Sequence, residues 1–163
     1  MDDYVDAGNG ASLDITDAIT VEAWVKPMQD TIGIYRGVVT KQDAATYSGY
    51  LLAISDNGFW FRIYDTGGSN PVAYADSTYN IGSWYHVVAK RGNNKVYFYI
   101  NGIEQASKPD SLYSIKSNTQ TLKIGRYWTD ISNFYFNGLI DDVRIYNRAL
   151  SDAEIQAIYN ATK

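Results

Sequence analysis

Short runs of alternating apolar and polar residues, each closed by a turn signal, constrain this chain more than any other feature. Ile19 to Val25 (ITVEAWV) sets Ile19, Val21, Ala23 and Val25 on one side of a strand, which Pro27 ends. Gly37 to Lys41 and Tyr50 to Ser55 read as the next strands, and Asp56-Asn57-Gly58 is a hairpin turn leading into Phe59 to Tyr64. After a loop over Thr66 to Pro71 come Val72 to Asp76, Trp84 to Lys90 and Val96 to Ile100, the last two joined by Gly92-Asn93-Asn94. Asn101-Gly102 is a third turn, and Thr121 to Arg126 a further strand. Strands at this spacing make an all-β sandwich. No repeat and no linker divides residues 1–163, so they read as one domain.

The tail departs from this pattern. Leu139 to Tyr146 alternates as a strand, Asn147 to Leu150 turns the chain, and Ser151 with Glu154 forms a capping box for one short helix. Ile155, Ile158 and Tyr159 give that helix an apolar side. Asp141 and Asp142 stand inside the strand, where Asp is uncommon and costly to bury. Alternation puts Asp141 with Val143 and Ile145 on the core side and Asp142 with Arg144 and Tyr146 on the other.

Composition narrows the function. Aromatics are 15% of the chain, with 15 Tyr and 4 Trp against 5 Phe. Tyr and Trp join a large apolar surface to a polar handle, which suits strands, wet interfaces and sugar-binding faces. A net charge of −4 with no basic stripe argues against a nucleic-acid partner. With no cysteine there is no disulfide, thiolate metal site or thiol nucleophile. Nothing reads as a membrane span or a signal peptide. Met1 directly against Asp2-Asp3-Tyr4-Val5 suggests a domain excised from a larger protein.

Several segments in order, DYVDAGN, ITVEAWVKP, WYHVVAKRGNNKVYFYINGIEQ, LKIGRY and FNGLIDDVRIYNRALSDAEI, resemble laminin-G-like, concanavalin-A-like jelly-roll domains. The resemblance runs from Asp3 to Tyr159 and implies a two-sheet antiparallel jelly-roll β-sandwich with ligand-binding loops along one rim. It implies an accessory module of secreted or surface bacterial proteins, hence an extracellular or cell-surface setting with neighbouring domains. Trp24 and Trp84 match its core pattern.

Two candidate sites follow. The first is a structural Ca²⁺ joining the chain ends, because a hard cation takes six to eight oxygens and the acids there are short-armed Asp. The resemblance implies acids at these two places, and Asp3 and Asp141 are the expected ligands. The second is a glycan surface in the segment Arg126 to Asn137, where Arg126, Tyr127, Trp128, Asp130, Asn133 and Tyr135 interleave flat rings with polar groups. Tyr35 and Tyr47 could complete its wall.

Catalysis finds little support in the residues. The fold family includes glycosidases that work with two carboxylates, but Glu22, Glu104 and Glu154 are the only glutamates and form no alternating motif of three acids. Glu22 stands alone in its strand. His86, the single histidine, reads as structural. The expectation is therefore a non-catalytic carbohydrate-binding module for a polysaccharide or other glycan. The alternative is a structural or adhesive module that contacts protein and binds no sugar.

Overall fold

Alternation in the sequence becomes two faces per strand, and both faces are used. The computed structural model describes residues 3–31, 33–74, 79–111, 113–127 and 134–163. Among the described residues eleven strands run β1 Val5–Asp6, β2 Ile19–Pro27, β3 Arg36–Asp43, β4 Ser48–Ser55, β5 Gly58–Tyr64, β6 Val72–Tyr74, β7 Tyr85–Gly92, β8 Lys95–Ile100, β9 Ile103–Pro109, β10 Lys123–Ile124 and β11 Gly138–Tyr146. An α-helix, α1, spans Asp152–Thr162. The six-stranded sheet has the order β1-β10-β3-β4-β5-β6 and the five-stranded sheet β11-β2-β7-β8-β9. Every strand pairing is antiparallel. This is the jelly-roll sandwich expected from the sequence.

The core lies between the sheets. Ile19, Val21, Ala23 and Val25 of β2 are fully buried against Phe59, Phe61 and Ile63 of β5 and Val87, Ala89 and Phe98 of β7 and β8. Burying each large apolar side chain contributes about 1.5–3 kcal/mol. The Asn93-Asn94 and Asn101-Gly102 turns have both central residues in the left-handed region, as a two-residue turn matching strand twist demands. The second of these turns leads into β9, a strand the polar run Glu104 to Lys108 hides from periodicity. It is an edge strand, mostly exposed, and so carries no apolar face to advertise it.

Helix α1 covers the outer face of the five-stranded sheet. Ser151 Oγ accepts the Glu154 N–H while the Glu154 carboxylate accepts the Ser151 N–H at 2.8 Å, the expected capping box. Ile155 is buried with Val88, Tyr99 and Leu150. Trp24 lies under this helix, not in the core: its ring stacks on Tyr159 and its Nε1 donates to Thr162 Oγ1 at 2.9 Å. Trp84 precedes β7 and is 41% exposed. Both depart from the core placement expected for them.

The strand register explains the two acids of the tail. Asp141 pairs with Trp24 but Arg144 pairs with Glu22, so β11 carries an extra residue there. Asp142 takes a φ of +50° at this bulge, which Asp tolerates better than most residues. The bulge reverses the alternation, so Ile140 packs on the core and Asp141 is exposed. The core-side placement of Asp141 is thereby corrected. Counting back from Val143 without the bulge gives the wrong face.

Glu22 is likewise not alone. Its Oε1 accepts from Arg144 Nη1 at 3.0 Å and from the Tyr146 hydroxyl at 3.2 Å, and its Oε2 stands 3.7 Å from His86 Nε2. His86 is buried and stacks on Tyr159, which fits its structural reading.

Candidate functional site

On the outer face of the six-stranded sheet, alternation along β5 sends Trp60, Arg62 and Tyr64 outward while Phe59, Phe61 and Ile63 fill the core. Arg62 lies over both neighbours, 4.9 Å from the Trp60 ring centroid and 5.8 Å from that of Tyr64, and its Nη1 donates to the Tyr64 hydroxyl. From Trp60 to Tyr64 the strand advances about 13 Å. A track of rings and one guanidinium therefore underlies this face, with Trp60 and Tyr64 themselves buried, and exposed rings from the loops extend it at both ends.

At the first end, Tyr35 meets Trp60 edge-on at 5.6 Å and stacks on Tyr127 at 6.0 Å. Tyr74 and Phe134 pack on the same cluster. Tyr35 is 46% exposed, whereas Tyr127 and Trp60 are buried. At the second end, Tyr47 meets Tyr64 edge-on at 5.8 Å and is 65% exposed. Tyr47 has a φ of +48°, a left-handed conformation that a bulky residue rarely holds. Its turn is fixed locally: Asp43 accepts from the Ala45 N–H and the Thr46 hydroxyl, and Lys116 Nζ donates to the Thr46 carbonyl at 2.7 Å. Backbone strain kept in place by such contacts concentrates at ligand-binding positions.

Beside Tyr47 opens a depression of about 490 Å³, lined by Thr46, Tyr47, Tyr64, Asp65, Thr66, Gly68, Asn70 and Lys116. Asp65 is committed to its own loop, accepting from the Ser69 N–H at 2.8 Å and from the Ser111 hydroxyl. It shapes the rim rather than facing a ligand. Thr66, Asn70 and Lys116 are exposed and offer a hydroxyl, an amide and an ammonium beside the Tyr47 ring. One flat ring with donors and acceptors around it can seat the apolar face of a polyhydroxylated ring and bond its hydroxyls.

The expected glycan residues are thus distributed rather than gathered. Trp128, Asp130 and Asn133 lie outside the described residues. Arg126 is buried, with its guanidinium 4.7 Å from the Tyr4 ring and 5.6 Å from that of Tyr135, so it ties Tyr4 at the chain start to Tyr135. Tyr35 and Tyr127 belong to the first end of the track and Tyr47 to the second. Sequence reasoning missed Tyr64, Thr66, Asn70 and Lys116. Their signal was present, since Tyr64 alternates outward with Trp60, but only strand pairing brings Lys116 to them: its N–H donates to the Tyr64 carbonyl at 2.8 Å.

Asp3 and Asp141 are the expected calcium ligands. Asp3 borders a depression with Met28, Phe136, Asn137, Gly138 and Leu139, and Asp141 borders a different one. Asp141 Oδ1 accepts the Asp142 N–H at 2.8 Å. Among the described residues no group of three or more His, Cys, Asp or Glu is placed to share an ion.

Comparison with known proteins follows the fold. The family model described as the concanavalin A-like lectin/glucanases superfamily matches residues 1–156. The chain belongs to this superfamily. Among solved structures, this concanavalin A-like domain is similar to the binding domain of Paraclostridial Mosquitocidal Protein 1, with a TM-score of 0.77 and 17% identity over 97% of this chain and 41% of that one. It is also similar to domain 4 of AbnA, an extracellular GH43 arabinanase from Geobacillus stearothermophilus in complex with arabinotriose, with a TM-score of 0.66 and 24% identity over 88% of this chain and 67% of that one. Among curated proteins it resembles the adhesion G-protein coupled receptor V1 of Danio rerio, 27% identical over 152 residues. That match takes in 86% of the concanavalin A-like chain and spans 2% of the receptor's length. No helix among the described residues is long and apolar enough to cross a membrane.

Proposed function

We propose that this domain is a non-catalytic carbohydrate-binding module of an extracellular or cell-surface protein. It takes a glycan on the outer face of the six-stranded sheet, in the depression at Tyr47. The observation that carries this reading is Tyr47 itself, an exposed ring held in a left-handed conformation above Tyr64 and ringed by Thr66, Asn70 and Lys116. The glutamates lie elsewhere: Glu22 in the five-stranded sheet with Arg144, Glu104 on its edge strand, Glu154 in the helix cap. That placement supports binding without hydrolysis.

Affinity electrophoresis against a panel that includes linear arabinan, xylan and glucans tests the proposal. Retardation by at least one polymer is expected, and Tyr47→Ala is expected to weaken it about 10-fold, the loss of roughly 1.4 kcal/mol of ring contact. Melting of the variant should stay within a few degrees of the parent because Tyr47 is mostly exposed. Absence of retardation by every polymer would favour the structural or adhesive module that contacts protein and binds no sugar.

Calcium is a separate proposal within this reading, a structural ion at the chain start with Asp3 among its ligands and backbone carbonyls supplying most of the oxygens. A ligand bound to the folded state alone raises its melting temperature. The expected result is a melting temperature several degrees higher in millimolar Ca²⁺ than in EDTA. Identical melts remove the metal from the proposal and leave the glycan surface untouched.

A further inference from the structure

A second depression, of about 350 Å³, lies on the opposite sheet and takes no part in the track. Trp24, Trp84, Asp141, Asp142, Thr162 and Lys163 line it. Two indole rings and two carboxylates of different origin converge here. Trp24 projects from β2, Trp84 from the approach to β7, and the acids from the bulge of β11, while the end of α1 closes the side.

Trp24 is pinned by its hydrogen bond to Thr162, by a tilted contact with His86 at 5.4 Å and by stacking on Tyr159 at 6.0 Å. Asp142 is paired with Arg144 Nη2 at 3.2 Å, so its charge is largely answered. Asp141 is exposed, and among the described residues no cation pairs with it. Trp84 leaves 41% of its surface open. The bulge produces this arrangement, because without the extra residue Asp141 would face the core.

Indole rings attract cations at their faces more strongly than other aromatic rings, and an unpaired carboxylate adds charge of the complementary sign. The same aromatic stack already holds one ammonium: Lys163 Nζ lies 5.6 Å from the Tyr159 ring centroid, and Tyr159 stacks on Trp24. We propose that this depression is a binding site for an alkylated ammonium group, with Trp24 and Trp84 as its walls and Asp141 as its counter-charge. A bare metal ion would leave the indoles without use. A neutral sugar would leave Asp141 without a positive partner.

Titration of the ¹⁵N-labelled domain with tetramethylammonium chloride, at ionic strength held constant with NaCl, tests this by following the indole N–H resonances. A saturating shift of the Trp84 signal in the millimolar range is expected. Asp141→Asn should weaken it about 5-fold and Trp84→Phe, followed at the Trp24 indole, by less, as cation–π and charge contributions at half-open sites predict. Tert-butanol, a neutral group of similar size, should produce no comparable shift. The proposal is overturned if tert-butanol matches tetramethylammonium, if no saturating shift occurs, or if Asp141→Asn binds like the parent with an unchanged melting temperature. Choline and N-trimethyl-lysine then separate a small-molecule source from a protein side chain. Binding of either supports the site, and binding of neither overturns it.

Discussion

Gly37→Ala is expected to destabilise the domain by about 3 kcal/mol or more and to move the urea midpoint down by roughly 1–3 M. An added Cβ at Gly37 would lie 2.3 Å from the Arg126 carbonyl oxygen, 2.4 Å from its carbon and 2.5 Å from the Tyr127 nitrogen. All three are backbone atoms, so no rotamer change relieves the clash. Either β3 or the segment after β10 must move. The Gly125 N–H donates to the Val38 carbonyl at 3.0 Å, so the displacement also strains the junction of β10 and β3. It would pull Tyr127 from Tyr35 and Trp60 and so disturb the first end of the track. Gly10→Ala is the control, with extended backbone and its nearest neighbour, Ser12 Oγ, at 3.8 Å. It should stay within about 0.5 kcal/mol of the parent. Equal urea midpoints for the two variants would disprove the close crossing at Gly37.

Glu22→Ala is expected to cost about 3 kcal/mol, because it strands the partners of a fully buried carboxylate. The cost falls at the low end for a broken buried pair since the Arg144 side chain is 40% exposed and can turn to water. His86, 1% exposed, has no such recourse. Burial works to raise the Glu22 pKa, but contacts with His86 and Arg144 outweigh it and hold the carboxyl below its ordinary value of 4.5. Asp152 is held low by Lys90 and Tyr99, and Glu154 is brought down to about 2 by Arg148 and the Ser151 cap. A depressed folded-state pKa gives stability that is complete above the unfolded value and lost as pH falls through the folded one. The melting temperature should therefore be flat above about pH 5 and fall steadily from roughly pH 4.5 toward 2. Glu22→Gln should melt lower at neutral pH with a shallower acid limb. An acid limb parallel to the parent's would show that Glu22 contributes nothing to it.

The strands with alternating apolar faces were legible because burial between two sheets imposes a period of two, and Ile19 to Val25 or Phe59 to Tyr64 satisfy it without exception. The helix was legible because Ser151 and Glu154 answer free N–H groups within a single turn, a local transaction that needs no tertiary partner. Strand β9 was not legible, since an edge strand facing water on one side has little apolar patterning to display. Asp141 was misplaced for a related reason. A bulge is one residue long, and alternation counted across it inverts. The candidate site was half legible. Tyr35 and Tyr47 could be picked out as aromatic residues in loops, but they lie at opposite ends of β5, and Lys116 reaches Tyr47's turn only through a contact 70 residues distant in sequence.

By itself, then, the sequence determined the sandwich, its core strands, the capped helix and an aromatic-rich, cysteine-free surface suited to binding. Each of these follows from interactions between near neighbours or from a period repeated along a single strand. Tertiary structure alone decided which rings share a face, that Tyr64 backs Tyr47, that Glu22 is paired with Arg144 on the neighbouring strand, and that Asp141 looks out toward Trp24 and Trp84. Those outcomes depend on strand order and on register. A single inserted residue at Asp142 is enough to turn a carboxylate from the core to the wall of a pocket.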